Sequence, residues 1–475
     1  MQYKEAVERL LMRPSFVCFL LVMVTAGVYA GTFRGDFQYD DVFTIFFNPH
    51  LDRAAIFVRH LDHMVRPVLY GTFFLDRSIY GHDPSGYHLL NLLLHLGSGL
   101  LVYRILTRAV TEEIRHLPLW TAVLFLLHPI QTETVTYISG RASGLMAFFY
   151  LFAFFLYIKA SEHPAAMMPR RLYLSGSVLL LILSLGSKET AATFPLVLLL
   201  WDLLIRRLRG PSLRTAILSR HVSFWVVLLF AAGWAWSHPR YAALAQFSLD
   251  IRPLWDNLLS ESHATAYALT LFFTPWNQNF DHDLPVFHSL TQWPLPLDVL
   301  LLSTTAGAGL LSWRRFPLVA FGIGWFFVQL LPTSLIPRND LLSERNLYLA
   351  SIGVVLVLVF LSSQFTRWLI TAFQHPRLLP IVAGTIALAL ICCLCVFTYQ
   401  RNALYRDPVL LWSDTVEKSP QKARPHNNLG HAYLLRDDWE RAIEEFRIAV
   451  QLDPDYALAQ KNLRDAYLHQ IGRSQ

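Results

Sequence analysis

The chain has 475 residues, of which 54% are hydrophobic and only 16% are charged. Soluble domains carry roughly a quarter charged residues, so this composition excludes an ordinary soluble enzyme and indicates a protein whose solvent is lipid. The net charge of +6 lies mostly in short loops between apolar runs, which indicates membrane orientation before nucleic-acid binding.

Eleven apolar runs are long enough, or nearly long enough, to cross a bilayer. We therefore predict an all-α, polytopic membrane helix bundle with about eleven spans. The first run follows Lys4, Arg9 and Arg13, and we interpret it as an uncleaved span rather than a signal peptide. The runs are residues 15–33, 86–107, 118–127 with its flanks, 142–159, 172–186, 190–205, 222–237, 296–312, 318–336, 346–362 and 378–398.

Arginine-rich short loops alternate along the chain with longer loops that hold acids, histidines and prolines. With a cytoplasmic N-terminus, the arginine-rich loops all fall inside, as the positive-inside rule requires. Segment 258–275 is less clear, because it carries Glu261 and His263. If this segment also crossed the membrane, Arg314 and Arg315 would fall outside. We therefore predict an in-plane or re-entrant helix there. The C-terminus then lies outside, which in a bacterial inner membrane means the periplasm. The loops on the same side are 34–85, 128–141, 187–189, 238–294 and 337–345.

Residues 401–475 form a predicted second domain behind the membrane domain of residues 1–400. Several residues recur there at an offset of 34, the helix–turn–helix period of tetratricopeptide repeats. The repeated pairs are Pro420 and Pro454, Asn428 and Asn462, and Tyr433 and Tyr467. One complete repeat with two half repeats either binds a partner or packs on the membrane domain as an appendage.

Two adjacent carboxylates, Asp40 and Asp41, follow the first span directly. One acid of such a pair can accept a proton from an incoming hydroxyl while the other orients its neighbour, and mutual repulsion spreads the two pKa values. The alternative is an ordinary acidic turn or a helix N-cap at the membrane surface.

Cations and further carboxylates collect in the loops on the same predicted side as this acid pair. Cations suit a lipid phosphate, and a carboxylate suits an acceptor hydroxyl. Each residue also has a purely structural interpretation, such as a snorkelling lysine or a helix cap. The residues are Arg66, His128, Glu133, Arg141, Lys188, Glu189, Glu344 and Arg345.

Several stretches of the chain resemble the transmembrane and tetratricopeptide repeat-containing (TMTC) proteins and their bacterial relatives. These stretches are the YDD acids after the first span, LNLLLHL, HPIQTETVTYISGR, SKETAATFPLVLLLWDLL, PWNQNFDHD and SERNLYLASIG. The family is similar to GT-C glycosyltransferases, which use polyprenyl-phosphate sugars on the non-cytoplasmic face, and its eukaryotic members are linked to protein O-mannosylation. The tail departs from the family pattern, because eukaryotic members carry many more repeats; recognition of a protein acceptor therefore stays open.

The resemblance implies an inverting glycosyl transfer with a catalytic acid in the first outer loop. Asp40 and Asp41 become the leading catalytic candidates, with Asp40 favoured as the base. Arg345, with Lys188 or Arg141, is expected to hold the phosphate of the lipid-linked donor. The residues expected to line the substrate pocket are Arg66, His128, Glu133, Glu189 and Glu344.

Two other functions remain possible on the sequence alone. The chain can be a non-catalytic membrane scaffold whose tail recruits partners. A transporter would need polar residues deep in several spans and an internal repeat of helices, and the sequence shows no such repeat. Acids recur in several loops, but no ligand spacing supports a metal site.

Overall fold

The computed structural model describes residues 14–164, 167–373 and 378–473, which form helices joined by loops. These residues contain no β-strand, so the predicted all-α class is confirmed. The basic residues Lys4, Arg9 and Arg13, which enter the orientation prediction, lie outside the described residues.

Nine helical segments of the described chain are long and apolar enough to cross a membrane. They correspond to nine of the eleven predicted runs and confirm a polytopic helix bundle. The other two runs, 118–127 and 190–205, form shorter helices that are largely buried among the long ones. The nine segments are Ser15–Arg34, Pro84–Leu106, Ile138–Ser161, Met168–Leu185, Gly210–Ser237, Leu295–Ser312, Pro317–Leu335, Glu344–Ala372 and Ile381–Leu404.

The described residues contain twenty-one α-helices, numbered in chain order. The first ten are α1 (Pro14–Tyr29), α2 (Ala54–His60), α3 (Pro67–Tyr80), α4 (Pro84–Leu106), α5 (Leu117–Leu127), α6 (Thr132–Val135), α7 (Arg141–Ser161), α8 (Met168–Leu185), α9 (Phe194–Leu200) and α10 (Gly210–Ala216). The next seven are α11 (Val222–Ser237), α12 (Pro239–Ile251), α13 (Leu254–Leu271), α14 (Leu295–Ser312), α15 (Pro317–Leu335), α16 (Leu347–Phe373) and α17 (Leu378–Leu404). The tail adds α18 (Pro408–Lys418), α19 (Ala423–Leu434), α20 (Trp439–Leu452) and α21 (Ala457–Arg473).

The loops gather at two opposite ends of the bundle. The arginine end consists of loops 107–116, 162–164, 206–209 and 313–316. Its loops contact one another: Arg108 pairs with Glu162 at 2.7 Å, and the Arg209 guanidinium lies 5.0 Å from the centre of the Trp313 ring.

The opposite end, the polar-loop end, consists of loops 34–66, 128–141, 186–193, 272–283 and 336–346. There the amide of Ser139 donates to Asp41 (2.8 Å), and the amide of Asn279 donates to Glu344 (2.6 Å). The charge pattern of the sequence predicts this separation of loops. Which end faces the cytoplasm stays a prediction.

Helix α13, which overlaps the segment predicted to lie in plane, is anchored at both ends to the polar-loop end. Near its start, the side-chain Nδ2 of Asn257 donates to the Ser334 carbonyl in the last turn of α15 (2.8 Å). Just after its end, the Phe272 carbonyl bonds with His128 Nε2 (3.2 Å). A helix held at both termini by one end of the bundle runs along that end, which supports the in-plane or re-entrant prediction.

The tail packs its helices in sequence, α18 on α19, α19 on α20 and α20 on α21. Trp412 and Phe446, which lie 34 residues apart, are both buried. A Cβ added at Gly430 would lie 2.7 Å from the Phe446 ring, so the glycine permits close approach of α19 and α20. The packing follows the repeat in the sequence; the tetratricopeptide assignment and the domain boundary at residue 400 stay predictions.

Candidate functional site

Asp41 links loop 34–66 to loop 128–141 through hydrogen bonds. Its carboxylate is fully buried and accepts the amide of Gln38 (3.0 Å) and the amide and hydroxyl of Ser139 (2.8 and 2.5 Å). Burial raises the pKa of Asp41 to about 7, and the hydrogen bonds from Ser139 and Gln38 oppose that rise. Asp41 is therefore engaged on both oxygens and holds the turn that carries its neighbour.

Asp40 is the acid of the pair that remains free. Its amide donates to the hydroxyl of Tyr137 (3.2 Å), and its carbonyl accepts the hydroxyl of Thr44 (2.7 Å). Its partly exposed carboxylate has no hydrogen bond or ion pair with any residue of the described chain. The preceding residue, Tyr39, has φ of 46°, a left-handed conformation that is costly for a residue with a side chain. The backbone is thus fixed on both sides of a carboxylate that has no partner.

Arg345 and Glu133 form a second pair beside Tyr137. Arg345 Nη1 lies 3.2 Å from Glu133 Oε1, and the Arg345 amide donates to Glu133 Oε2 (2.9 Å). The guanidinium carbon lies 5.8 Å from the centre of the Tyr137 ring. Because the Tyr137 hydroxyl holds the backbone of Asp40, the cation and the free acid share one aromatic support. Burial raises the pKa of Glu133, and the charge of Arg345 opposes that rise.

Lys188 is a buried cation that touches no carboxylate in the described part of the chain. Its ammonium donates to Ser143 Oγ and to Asn346 Oδ1, each at 2.7 Å. Burial lowers the pKa of Lys188 well below its usual value, and the neighbouring charges of Arg66 and Arg345 lower it further. An ammonium has three donors, so one remains for a ligand. Lys188, Arg345 and Asn346 line one narrow pocket.

Arg66 and Glu189 form a bidentate pair, with nitrogen–oxygen distances of 3.1 and 2.9 Å. The hydroxyl of Tyr241 also donates to Glu189 (3.2 Å). The pair joins the first loop to the turn after α8 and to α12. Both charges are matched, so this pair shapes the rim of the site without supplying a free group.

His128 and Glu344, both predicted to line the pocket, tie loops together. His128 Nδ1 accepts the amide of Ile130 (3.1 Å), and burial lowers the His128 pKa to about 4, so the ring is neutral at pH 7. Glu344 is fully buried and accepts the amide of Asn279 (2.6 Å) and His282 Nε2 (3.0 Å). The geometry supports a structural part for both residues.

Arg141 does not face the pocket around Lys188. It is fully buried, pairs with Asp76 (2.5 Å) and donates to Asn91 Oδ1 (2.7 Å) and to the carbonyl of Tyr87 (2.8 Å). Its remaining hydrogen bond is to the hydroxyl of Thr72 (3.2 Å). With its nitrogens engaged by protein, Arg141 fits a phosphate site poorly.

Sequence reasoning missed several residues that complete the site. Tyr137, Ser143 and Asn346 are uncharged, and only their position within or beside the family-like stretches 128–141 and 343–353 signals them. Arg338 was also missed; its charge contributes to the low pKa of Lys188, and its buried Nε has no hydrogen-bond partner in the described structure. Neither neutral polar side chains nor a single arginine in a loop forms a sequence pattern that predicts a binding site.

The residues that the structure describes contain no group of three or more histidine, cysteine, aspartate or glutamate side chains able to hold a metal ion. The carboxylates of the site are separated by cations and aromatic rings instead.

Comparison with known proteins gives relatives over most of the chain, although no family model matches it. A protein O-mannosyl-transferase of Caenorhabditis elegans is 25% identical over 92% of this chain and 63% of its own length. The human protein O-mannosyl-transferases TMTC1 and TMTC4 are 25% and 24% identical, over 95% and 88% of this chain and 56% and 64% of their own lengths. These matches confirm the resemblance to the TMTC proteins. The chain spans between about half and two thirds of the length of these relatives.

Proposed function

We propose that this TMTC-like chain is a GT-C-type glycosyltransferase that moves a sugar from a polyprenyl-phosphate donor to a hydroxyl of a protein or glycan. One observation carries the proposal: the unpartnered carboxylate of Asp40 lies at the same end of the bundle as Arg345 and the unbalanced cation Lys188. The relatives that align along most of the chain are named protein O-mannosyl-transferases, which favours mannose as the sugar.

In the proposed step, Asp40 accepts the proton of the acceptor hydroxyl while the hydroxyl oxygen bonds to the anomeric carbon. The bond from that carbon to the phosphate oxygen breaks, and the polyprenyl phosphate leaves with the electron pair. This attack from the opposite side inverts the anomeric carbon.

Negative charge grows on the leaving phosphate, and fixed cations stabilise that charge without reorganising. Arg345 Nη1 faces Glu133, whereas its Nε and Nη2 make no hydrogen bond to the described residues. Lys188 keeps its third donor. An anion beside Lys188 also reverses the fall in its pKa, so donor binding and the charge of Lys188 support each other. The proposed step uses no nucleotide, and the described residues contain no group of side chains that supports a metal site.

The polar-loop end is proposed to face the non-cytoplasmic side of a bacterial inner membrane, with the N-terminus cytoplasmic and the tail outside. The arginine loops at the other end support this orientation through the positive-inside rule. A compartment-sensitive reporter fused behind the tail should report the periplasm. A cytoplasmic signal would overturn the orientation and require α13 to cross.

The catalytic test uses the purified full chain in lipid vesicles with polyprenyl-phosphate mannose and a serine- and threonine-containing peptide. The parent should release polyprenyl phosphate. Asp40→Asn keeps the shape of the side chain but removes its basicity, and general-base assistance is worth about a hundred- to ten-thousand-fold. Turnover should fall by about that factor.

Asp36→Asn is the matched control, because Asp36 is an exposed acid of the same turn whose carboxylate accepts only the next amide. It should turn over at the parental rate. Equal rates for Asp40→Asn and the parent, or no transfer by the parent from any polyprenyl-phosphate sugar, would overturn the proposal and favour the scaffold.

A further inference from the structure

Four aromatic rings from separate parts of the chain surround the ring of Phe280. Its ring centre lies 5.2 Å from Tyr137, 5.3 Å from Trp412, 5.8 Å from Tyr405 and 6.2 Å from Tyr39. Tyr39 and Trp412 also meet directly, at 5.5 Å. All these contacts are edge-to-face, the geometry that aromatic pairs favour. We call these five residues the aromatic cluster.

The aromatic cluster reaches Asp40 from two sides. Tyr39 precedes Asp40 in the chain, and the Tyr137 hydroxyl accepts the Asp40 amide. Trp412 belongs to the first tail helix, α18, and is 3% exposed. The tail therefore packs directly against Tyr39, the residue that precedes the free acid.

A group of ion pairs holds the same part of the tail in place. Arg424 and Lys422, around the start of α19, both pair with the buried carboxylate of Asp281, next to Phe280. Arg424 also pairs with Asp340 (2.5 Å). Ser419 adds two buried hydrogen bonds, from Asn279 Nδ2 (2.7 Å) and to the Asp281 carbonyl (2.8 Å). These contacts hold tail residues 419–424 against loop 272–283.

We infer that Trp412 is a positioning residue for Asp40, so that the first tail helix forms part of the active site rather than a separable appendage. The inference rests on the proposed function. Tyr39 has the left-handed φ of 46° with the rings of Trp412 and Phe280 packed against it. Without the indole, Tyr39 can relax to an ordinary backbone conformation, and the Asp40 carboxylate moves with it.

The test compares Trp412→Ala with Trp412→Phe in the full chain, assayed with polyprenyl-phosphate mannose. A displacement of about 1 Å at a catalytic group costs up to about a hundredfold, so kcat of Trp412→Ala should fall by roughly tenfold to a hundredfold. KM for the donor should change little, because the lost indole packs on Tyr39 and Phe280. The cations Arg345 and Lys188 keep their own partners, which are Glu133 for the first and Ser143 and Asn346 for the second. Trp412→Phe keeps a ring and should recover most of the rate.

The matched control is Trp439→Ala, which removes a tail tryptophan that stacks on His469 within the tail (ring centres 3.7 Å apart). Its kcat should equal that of the parent. A second variant, Arg424→Gln, loosens the ion pairs without removing a ring and should give a smaller fall in kcat. Arg447→Gln is its control, because Arg447 is exposed and pairs within the tail with Glu444.

Backbone hydrogen exchange provides a measurement that needs no activity. The amides of residues 38–44 should exchange faster in Trp412→Ala than in the parent or in Trp439→Ala. If Trp412→Ala exchanged faster but the parent transferred no sugar, Trp412 would still position the Asp40 loop, and the proposed function would be wrong. An active parent whose Trp412→Ala variant keeps its kcat and its exchange rates would overturn the inference and leave the function standing.

Discussion

Two carboxylates, one near each end of the bundle, have opposite surroundings. Near the arginine end, Asp202 is fully buried and accepts hydrogen bonds from Tyr157 (2.7 Å), Arg206 (3.1 Å) and His221 (3.2 Å), with Arg220 at 3.3 Å. At the polar-loop end, Asp40 has no such partner among the described residues. A buried charge that the protein fully satisfies serves the fold. A partly exposed carboxylate without a protein partner is instead free to meet a ligand.

The same contrast separates two cations of the polar-loop end. Arg141 has Asp76 and three further acceptors, all from protein. Lys188 has two neutral acceptors and no carboxylate in contact within the described chain. Of these two cations, Lys188 is therefore the one whose charge an anionic ligand can balance.

Asp202→Asn should give the largest loss of stability, because it leaves the buried Arg220 without its counter-ion. Removing one partner of a buried pair costs about 3–5 kcal/mol, measurable as the free energy of unfolding in mixed micelles. The transfer rate per folded molecule should stay at the parental value. If Asp202→Asn stayed stable but lost glycosyl transfer, Asp202 would be a functional residue, and the contrast between the two carboxylates would be wrong.

Arg345→Ala should lower both donor affinity and stability, because it removes a phosphate ligand and leaves Glu133 buried and unpaired. We expect a stability loss of about 3 kcal/mol. Donor binding is measured with polyprenyl phosphate, and unfolding is measured as for Asp202→Asn.

The double variant Arg345→Ala with Glu133→Gln separates the two effects. Neutral glutamine removes the unpaired charge, so stability should return while donor affinity stays low. If affinity returned together with stability, Arg345 would be a structural residue only.

Lys188→Met should weaken donor binding by about tenfold to a hundredfold, the equivalent of about 1.5–3 kcal/mol for a hydrogen bond to a charged group. Stability should hold or rise, because a buried charge without a counter-ion is replaced by an apolar chain of similar length. Donor titration and unfolding on the same preparation check both parts. Weaker folding with unchanged donor affinity would contradict the phosphate role.

The sequence predicted the long spans and the position of the acid pair, because apolar length and the order of loops are local properties. The resemblance favoured Asp40 as the base, but the sequence offered no physical reason to separate it from Asp41. The two differ through Ser139, which is 98 residues from Asp41 in the chain and bonds only that acid. Pairing at such a distance has no signature in one sequence.

Arg141 is another residue whose partners could not be predicted, because they are distant in the sequence. Its place after Ser139 and Gly140 suggested a loop cation, but its counter-ion Asp76 comes from α3, 65 positions earlier in the chain. The part played by the tail was equally hidden. Trp412 lies one repeat period of 34 residues before Phe446, and nothing in that period indicates contact with Tyr39.

A further prediction concerns Asp41 and the dependence of stability on pH. Burial raises the pKa of Asp41 to about 7 in the folded chain, whereas an unfolded aspartate has a pKa of about 3.9. Between these values the folded state binds more protons than the unfolded state. The contribution of Asp41 to stability is therefore fully present below about pH 4 and is lost as the pH rises towards 7, by at most about 1.4 kcal/mol per pH unit.

Asp41→Asn cannot ionise, so its stability relative to the parent should increase as the pH rises from 5 to 7 and then level off. Unfolding of both proteins in mixed micelles at several pH values measures this difference, and the difference cancels the titration of all other groups that the two chains share. Asp40→Asn is the internal comparison, because Asp40 is partly exposed and its carboxylate has no hydrogen bond in the described structure. If the stability difference for Asp41→Asn did not change with pH, Asp41 would be ionised across this range, and the contrast between a buried holding acid and a free catalytic acid would fail.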